Sequence, residues 1–180
     1  LGKVNIGSAP YGAGDVGLDT STAGVLTVTD GSTGLGYLVR AGRTRVAANV
    51  TNATTTMANI TGLTATLLAA GHYTGELVLF CIDSTAAEGL KFDFDGGTAT
   101  MTDFRAYGTI TDTALLSAAQ TTAIATDFTA ATVTGAALFV ARFSMTVNAA
   151  GTFIPRFAQN SHSAGTATVY RGGYMDIQTF

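Results

Sequence analysis

Gly12-Ala13-Gly14-Asp15-Val16-Gly17 spells the Gly-x-Gly-x-x-Gly fingerprint of dinucleotide-binding proteins. That motif works where a strand leads in and a helix N-terminus follows, so that backbone N–H groups meet a pyrophosphate. Here Ala9-Pro10-Tyr11 leads in and Leu18-Asp19-Thr20 follows, with no helix start. A Gly-rich segment produces the spelling by composition alone, and no cofactor is expected. Asp93 and Asp95, followed by Gly96-Gly97, resemble part of a calcium loop. Calcium needs further oxygens at set spacings, and no Glu follows at the right place. They are read as two surface carboxylates beside a hairpin turn. His72, His162 and Cys81 lack zinc-ligand spacing, and no metal is expected. Cys81 lies within Leu77-Val78-Leu79-Phe80-Cys81-Ile82 and is read as a small buried hydrophobe. No Gly-x-Ser-x-Gly elbow occurs, and Glu76 and Glu88 are the only glutamates, so neither a hydrolase elbow nor a pair of glutamate acids is indicated. The chain is expected not to be an enzyme.

Two groups of residues suit recognition better than catalysis. Arg40, Arg43 and Arg45 cluster where a Gly-rich arm meets the main domain, placed to hold an acidic partner surface or to sit as a solvated basic linker. Asn160, Ser161, His162 and Ser163 form a polar loop tip suited to a sugar, a partner subunit or water. These seven residues are the candidate partner or receptor contacts. The sequons at Asn49, Asn52 and Asn59 arise easily in so Thr-rich a chain and bear on function only in a eukaryotic secretory pathway.

The elements that position these residues follow from composition. The chain has 180 residues, of which 32 are Thr, 30 Ala and 22 Gly, against 2 Glu and 2 Lys. Helix faces in water need Glu, Lys, Leu and Gln, so an all-helical fold is excluded. With 47% hydrophobic residues and a net charge of −3, disorder is not expected. The longest apolar runs are too short to span a membrane as a helix, and the mild acidity does not suggest a nucleic-acid surface. One Cys excludes an internal disulfide. No basic segment followed by an apolar stretch opens the chain, which begins at Leu1 and is read as a fragment or processed product.

Residues 1–42 read as a Gly-rich arm with short strands at 24–29 and 36–40 around the turn Asp30-Gly31-Ser32-Thr33-Gly34. Residues 43–180 read as one all-β domain. Strands are expected at 44–49, 57–60, 63–68, 72–82, 91–95, 99–110, 122–128, 137–147, 152–157, 166–170 and 174–178. Alternation is clearest where Phe139, Ala141, Phe143, Met145 and Val147 share one face. Residues 114–120 are read as one or two helical turns, and 121–134 as a loop that returns to a strand. The spacing of turns suits an antiparallel, jelly-roll-like β-sandwich. A domain with so few charges is poorly suited to life as a solvated monomer and well suited to packing against copies of itself. A homo-oligomer is expected, and a trimer fits a sandwich with a Gly-rich arm.

Two passages carry a resemblance. The run from Ala23 to Gly36 resembles the Gly-rich β repeats of tail-fibre-like proteins of tailed bacteriophages. The run from Asn49 to Leu63, with Thr146-Val147-Asn148-Ala149-Ala150-Gly151-Thr152 and Phe157-Ala158-Gln159-Asn160, is similar to a sandwich domain of many phage virion proteins. The resemblance implies a trimeric structural protein of the virion without enzymatic activity, in contact with other virion proteins. Three roles follow as expectations. The first is a distal tail-fibre domain for host attachment, with loops 83–89 and 160–165 touching the host surface or its glycans. The second is a capsid decoration protein that stabilises the shell. The third, from a different class and independent of the resemblance, is a carbohydrate-binding or lytic module.

Overall fold

The computed structural model describes residues 43–161 and 164–179, and before them the backbone of three short strands. Those three, β1 (Gly17–Asp19), β2 (Thr27–Thr29) and β3 (Leu35–Gly36), form a small antiparallel sheet in which Val28 pairs with both Leu18 and Gly36. Residues 1–40 form one compact unit and residues 41–180 another. The turn at 30–34 and Arg40 lie outside the described residues.

The second unit is all-β, with no helix among the described residues. Its strands are β4 (Thr44–Arg45), β5 (Val50–Asn52), β6 (Ala58–Asn59), β7 (Ala65–Leu67), β8 (Gly71–Asp83), β9 (Leu90–Asp95), β10 (Thr100–Thr111), β11 (Leu115–Thr121), β12 (Phe128–Ala130), β13 (Ala137–Ala149), β14 (Gly151–Gln159), β15 (Ala167–Val169) and β16 (Tyr174–Thr179). One sheet runs β11-β10-β13-β8-β15-β5, with β16 also pairing β8 and β4 beyond it. The other runs β12-β9-β14-β6, with β7 pairing the start of β14. All the pairings are antiparallel, and the two sheets pack as a β-sandwich.

Side-chain alternation decides which face of each strand is buried. Phe139, Ala141, Phe143, Met145 and Val147 of β13 point inward, as do Leu77, Leu79 and Cys81 of β8. Phe92 of β9 stacks on Phe139 of the opposite sheet with ring centres 4.3 Å apart. Phe94 meets Phe143 at 5.1 Å and Phe153 at 5.3 Å. Interlocked aromatic rings of this kind contribute roughly 0.5–1.5 kcal/mol per pair beyond the area they bury. Gly108 of β10 makes room for them: a Cβ there would stand 2.8 Å from the Phe128 ring.

Two expectations are corrected. Residues 114–120 form no helical turn; most of the segment is the edge strand β11, in register with β10 from Ala106↔Thr121 to Thr111↔Leu115. Residues 122–127 are no strand either. They turn, with Ala125 at φ 55°, and only at Phe128 does β12 begin.

Candidate functional site

The outer face of the eight-stranded sheet brings together two arginines, a tyrosine and several hydrogen-bonding side chains. A bulge in β10 sets it up. Register with β13 breaks between Thr102 and Arg105, and Asp103 takes φ 53°, a left-handed conformation that Asp tolerates better than most residues. Beyond the bulge Phe104, Ala106 and Ile110 are buried, so Arg105, Tyr107 and Thr109 face solvent. Cross-strand register then fixes a row: Gln120 of β11, Tyr107 of β10, Arg142 of β13 and Glu76 of β8. The next row holds Arg105, Ser144 and Thr74.

All of these but Glu76, which sits on the far side of Arg142, line a shallow groove of about 360 Å³. Tyr107 leaves 54% of its surface exposed on it. Arg142 Nε donates to Glu76 Oε2 at 3.3 Å, which leaves the two Nη groups of a side chain that is 81% exposed. Across Arg142 the face continues into a second hollow bounded by Arg43, Glu76, Asp176 and Gln178. There the Tyr174 hydroxyl donates to Glu76 Oε1 at 3.1 Å. Burial and the Glu76 carboxylate push the Tyr174 phenol above its ordinary value.

The arginines singled out from sequence part company. Arg43 lies over the Tyr174 ring at 4.3 Å and reaches Asp176 Oδ2 at 3.3 Å. Arg45 stands exposed on β4, in register with Tyr174. Of the polar tip, His162 and Ser163 lie outside the described residues. Asn160 and Ser161 are stitched by backbone N–H groups to the carbonyls of Gly89 and Glu88, at 3.2 and 2.8 Å. Loops 83–89 and 160–165 therefore meet, around a buried carboxylate. Glu88 Oε1 accepts from the N–H groups of Ala164 (2.7 Å) and Gly165 (3.1 Å), and Oε2 from Gln159 Nε2. Asp83 sits beside it with one oxygen, Oδ2, lacking a hydrogen-bond partner. Burial, aided by the nearby Glu88 charge, raises the Asp83 carboxyl above its ordinary value. Gly165 is required here, because a Cβ would lie 2.5 Å from Glu88 Oε2 and 2.8 Å from Asp83 Oδ1.

Asp93 is not a surface carboxylate, whereas the Asp95 side chain remains 37% exposed beside its turn, where it accepts from the Gly97 N–H at 2.8 Å. Arg156, directly opposite Asp93 in register, donates Nε (2.8 Å) and Nη2 to its two oxygens and Nη1 to Asp95 at 2.7 Å. Asp93 is only 2% exposed. The Asp93 hydrogen bond and charge in turn raise the Arg156 pKa. His72 Nδ1 contacts Thr146 Oγ1 at 3.1 Å on the exposed sheet face. Cys81 donates to the Ala137 carbonyl, and burial pushes its thiol up to about 12. Asn52 spends its amide on the carbonyls of Thr56 and Phe157 inside the fold, which removes it as a glycan acceptor. Gly17, the last residue of the Gly-x-Gly-x-x-Gly run, begins strand β1, where the fingerprint calls for a helix. Among the described residues, no three of His, Cys, Asp or Glu are grouped to hold a metal ion.

Sequence reasoning looked to loops for recognition and so missed the sheet-face groove. A signal was present: Arg105 and Tyr107 alternate with buried residues in β10, an Arg and a large aromatic on the side that β10 continues with Thr109 and Thr111. No protein family, curated protein or solved structure matches this chain.

Proposed function

We propose that the chain is a structural, non-enzymatic protein of a tailed-bacteriophage particle: a distal tail-fibre domain that assembles with identical copies, as a trimer, and serves host attachment. The observation that carries this reading is the apolar end of the eight-stranded sheet's outer face. Leu115, Leu138 and Phe80 stand in one row across β11, β13 and β8, and Val140 and Val78 pair in the next. Leu115 is 62% and Phe80 50% exposed. Ile82 extends the strip along β8. No charged side chain interrupts these rows across β10, β13 and β8, so a second copy can cover them without stripping water from an ion. Contiguous exposed apolar surface of this kind marks interaction sites. The sandwich fold and the fibre-like passages in residues 23–36 agree with the same reading.

Light scattering over a range of concentrations tests it. The expected mass is that of three 18.3 kDa chains, and Phe80→Asp together with Leu138→Asp is expected to yield monomers with an unchanged β-sheet spectrum. A monomer at every concentration would sink the assembly argument.

A further inference from the structure

We propose that the groove around Tyr107 binds an acidic sugar, with the sugar ring on Tyr107 and its anionic group between Arg105 and Arg142. The inference rests on the attachment role given above and specifies the kind of host molecule recognised.

Three observations converge. Tyr107 is more than half exposed in mid-strand, where a polar residue would serve solvation better. An exposed ring offers a flat apolar surface to the C–H face of a sugar, and its hydroxyl keeps one polar contact. The second observation is charge. The whole chain is at −3, yet the residues lining this groove include two arginines and no acid. Arg105 makes no ion pair or side-chain hydrogen bond among the described residues, and Arg142 is engaged through Nε alone. A guanidinium fork with free N–H groups matches a carboxylate or phosphate with two parallel hydrogen bonds. The third is the ring of neutral polar groups. Gln120, Ser144 and Thr74 sit around Tyr107 and the arginines in register positions fixed by four paired strands. Concave sites with a few convergent polar groups on rigid elements are typical of small-ligand binding. Gln120 offers both a donor and an acceptor, and the hydroxyls offer either, which suits sugar hydroxyls.

The groove and the apolar strip occupy different parts of one face. The strip begins one row beyond Tyr107, at Thr109, Val140 and Val78. Assembly through the strip therefore leaves the ligand site on the same subunit and beside the seam.

The test is calorimetric titration of the full chain with tetragalacturonate, with its neutral methyl ester and with mannose 6-phosphate. Saturable binding of tetragalacturonate is expected, with the ester weaker by about tenfold or more, the cost of losing one hydrogen bond to a charged group. Mannose 6-phosphate binding more tightly than tetragalacturonate would assign the site to phosphorylated sugars. Tyr107→Ala and Arg105→Ala should each weaken the acidic ligand about tenfold or more, whereas Arg171→Ala should not. Equal binding of acid and ester, binding that survives both groove variants, or no binding of either acidic probe would overturn the proposal. Light scattering on the same samples separates the two readings. Trimers that bind no acidic sugar sink the groove alone, and monomers that bind it sink the assembly.

Discussion

Replacing Arg156 with Met tests the energetic reading of the outer face of the five-stranded sheet. Asp93 is 2% exposed and takes two of its hydrogen bonds from Arg156, whose side chain is itself 20% exposed. Removing one partner of a fully buried pair costs about 3–5 kcal/mol, because the other charge is left without compensation. Partial exposure of the guanidinium lets water reach Asp93 once Arg156 is gone, which lowers the expected loss to about 2–4 kcal/mol. Met retains much of the aliphatic stem, so little packing is lost with the charge. With a urea dependence of about 2 kcal/mol per molar, the unfolding midpoint should fall by about 1–2 M. Asp93→Asn with Arg156→Met should recover a large part of that loss, since no buried charge then remains. The four chains form a double-mutant cycle, and the coupling between positions 93 and 156 should exceed about 1 kcal/mol. A loss below about 1 kcal/mol in Arg156→Met, or strictly additive losses, would show that Asp93 stays hydrated and that burial does not govern this pair.

Asp83 and Cys81 give two further predictions. The folded-state pKa of Asp83 is raised above its ordinary 3.8, so its contribution to stability is full in acid and is lost as pH rises through the raised value. Asp83→Asn should therefore be more stable than the parent at pH 7, by about 1 kcal/mol for one orphaned buried oxygen, and the gap should close below pH 3.8; urea midpoints at pH 7 and pH 3 check this, and a gap that widens in acid reverses the sign. Cys81, with its thiol pushed up to about 12 in the core, should react with an aromatic disulfide only as fast as the domain opens. Labelling much faster than the unfolding rate measured in urea would place the thiol at the surface.

Sequence alone made the interior legible. The alternation from Phe139 to Val147 and the pair Phe92 and Phe94 name core faces directly, because a half-buried strand must repeat every second residue. Residues 114–120 misled because Ala, Leu and Gln are good helix formers. There the open edge of β10 outweighs propensity, and Leu116 and Ala119 gain contact with the core. Asp93 looked like a surface carboxylate because nothing near it in sequence shows that Arg156 will lie opposite. The groove was hidden for the same reason. Gln120, Tyr107 and Arg142 sit on three strands and become neighbours only through register. Glu88 left a faint trace as one of two glutamates in the chain, next to Gly89, which takes φ 65°.

The route by which β8 acquires its second neighbour has a consequence for synthesis. β8 pairs on one side with β13 and on the other with β15 and β16, and β16 in turn holds β4, so that residue 44 meets residue 175. On the ribosome, β4 and β5 emerge early and have no partner until residues 167–179 have been made. Until then one edge of a long strand that carries the apolar run Leu77 to Ile82 stands open, the kind of edge that recruits other chains. A chain interrupted before residue 174 should be an aggregation hazard more than a smaller folded protein. Closure over so long a loop also makes folding slow compared with a local hairpin. With only 12% charged residues, the chain has little charge repulsion to keep that open edge apart from other chains while it waits for closure.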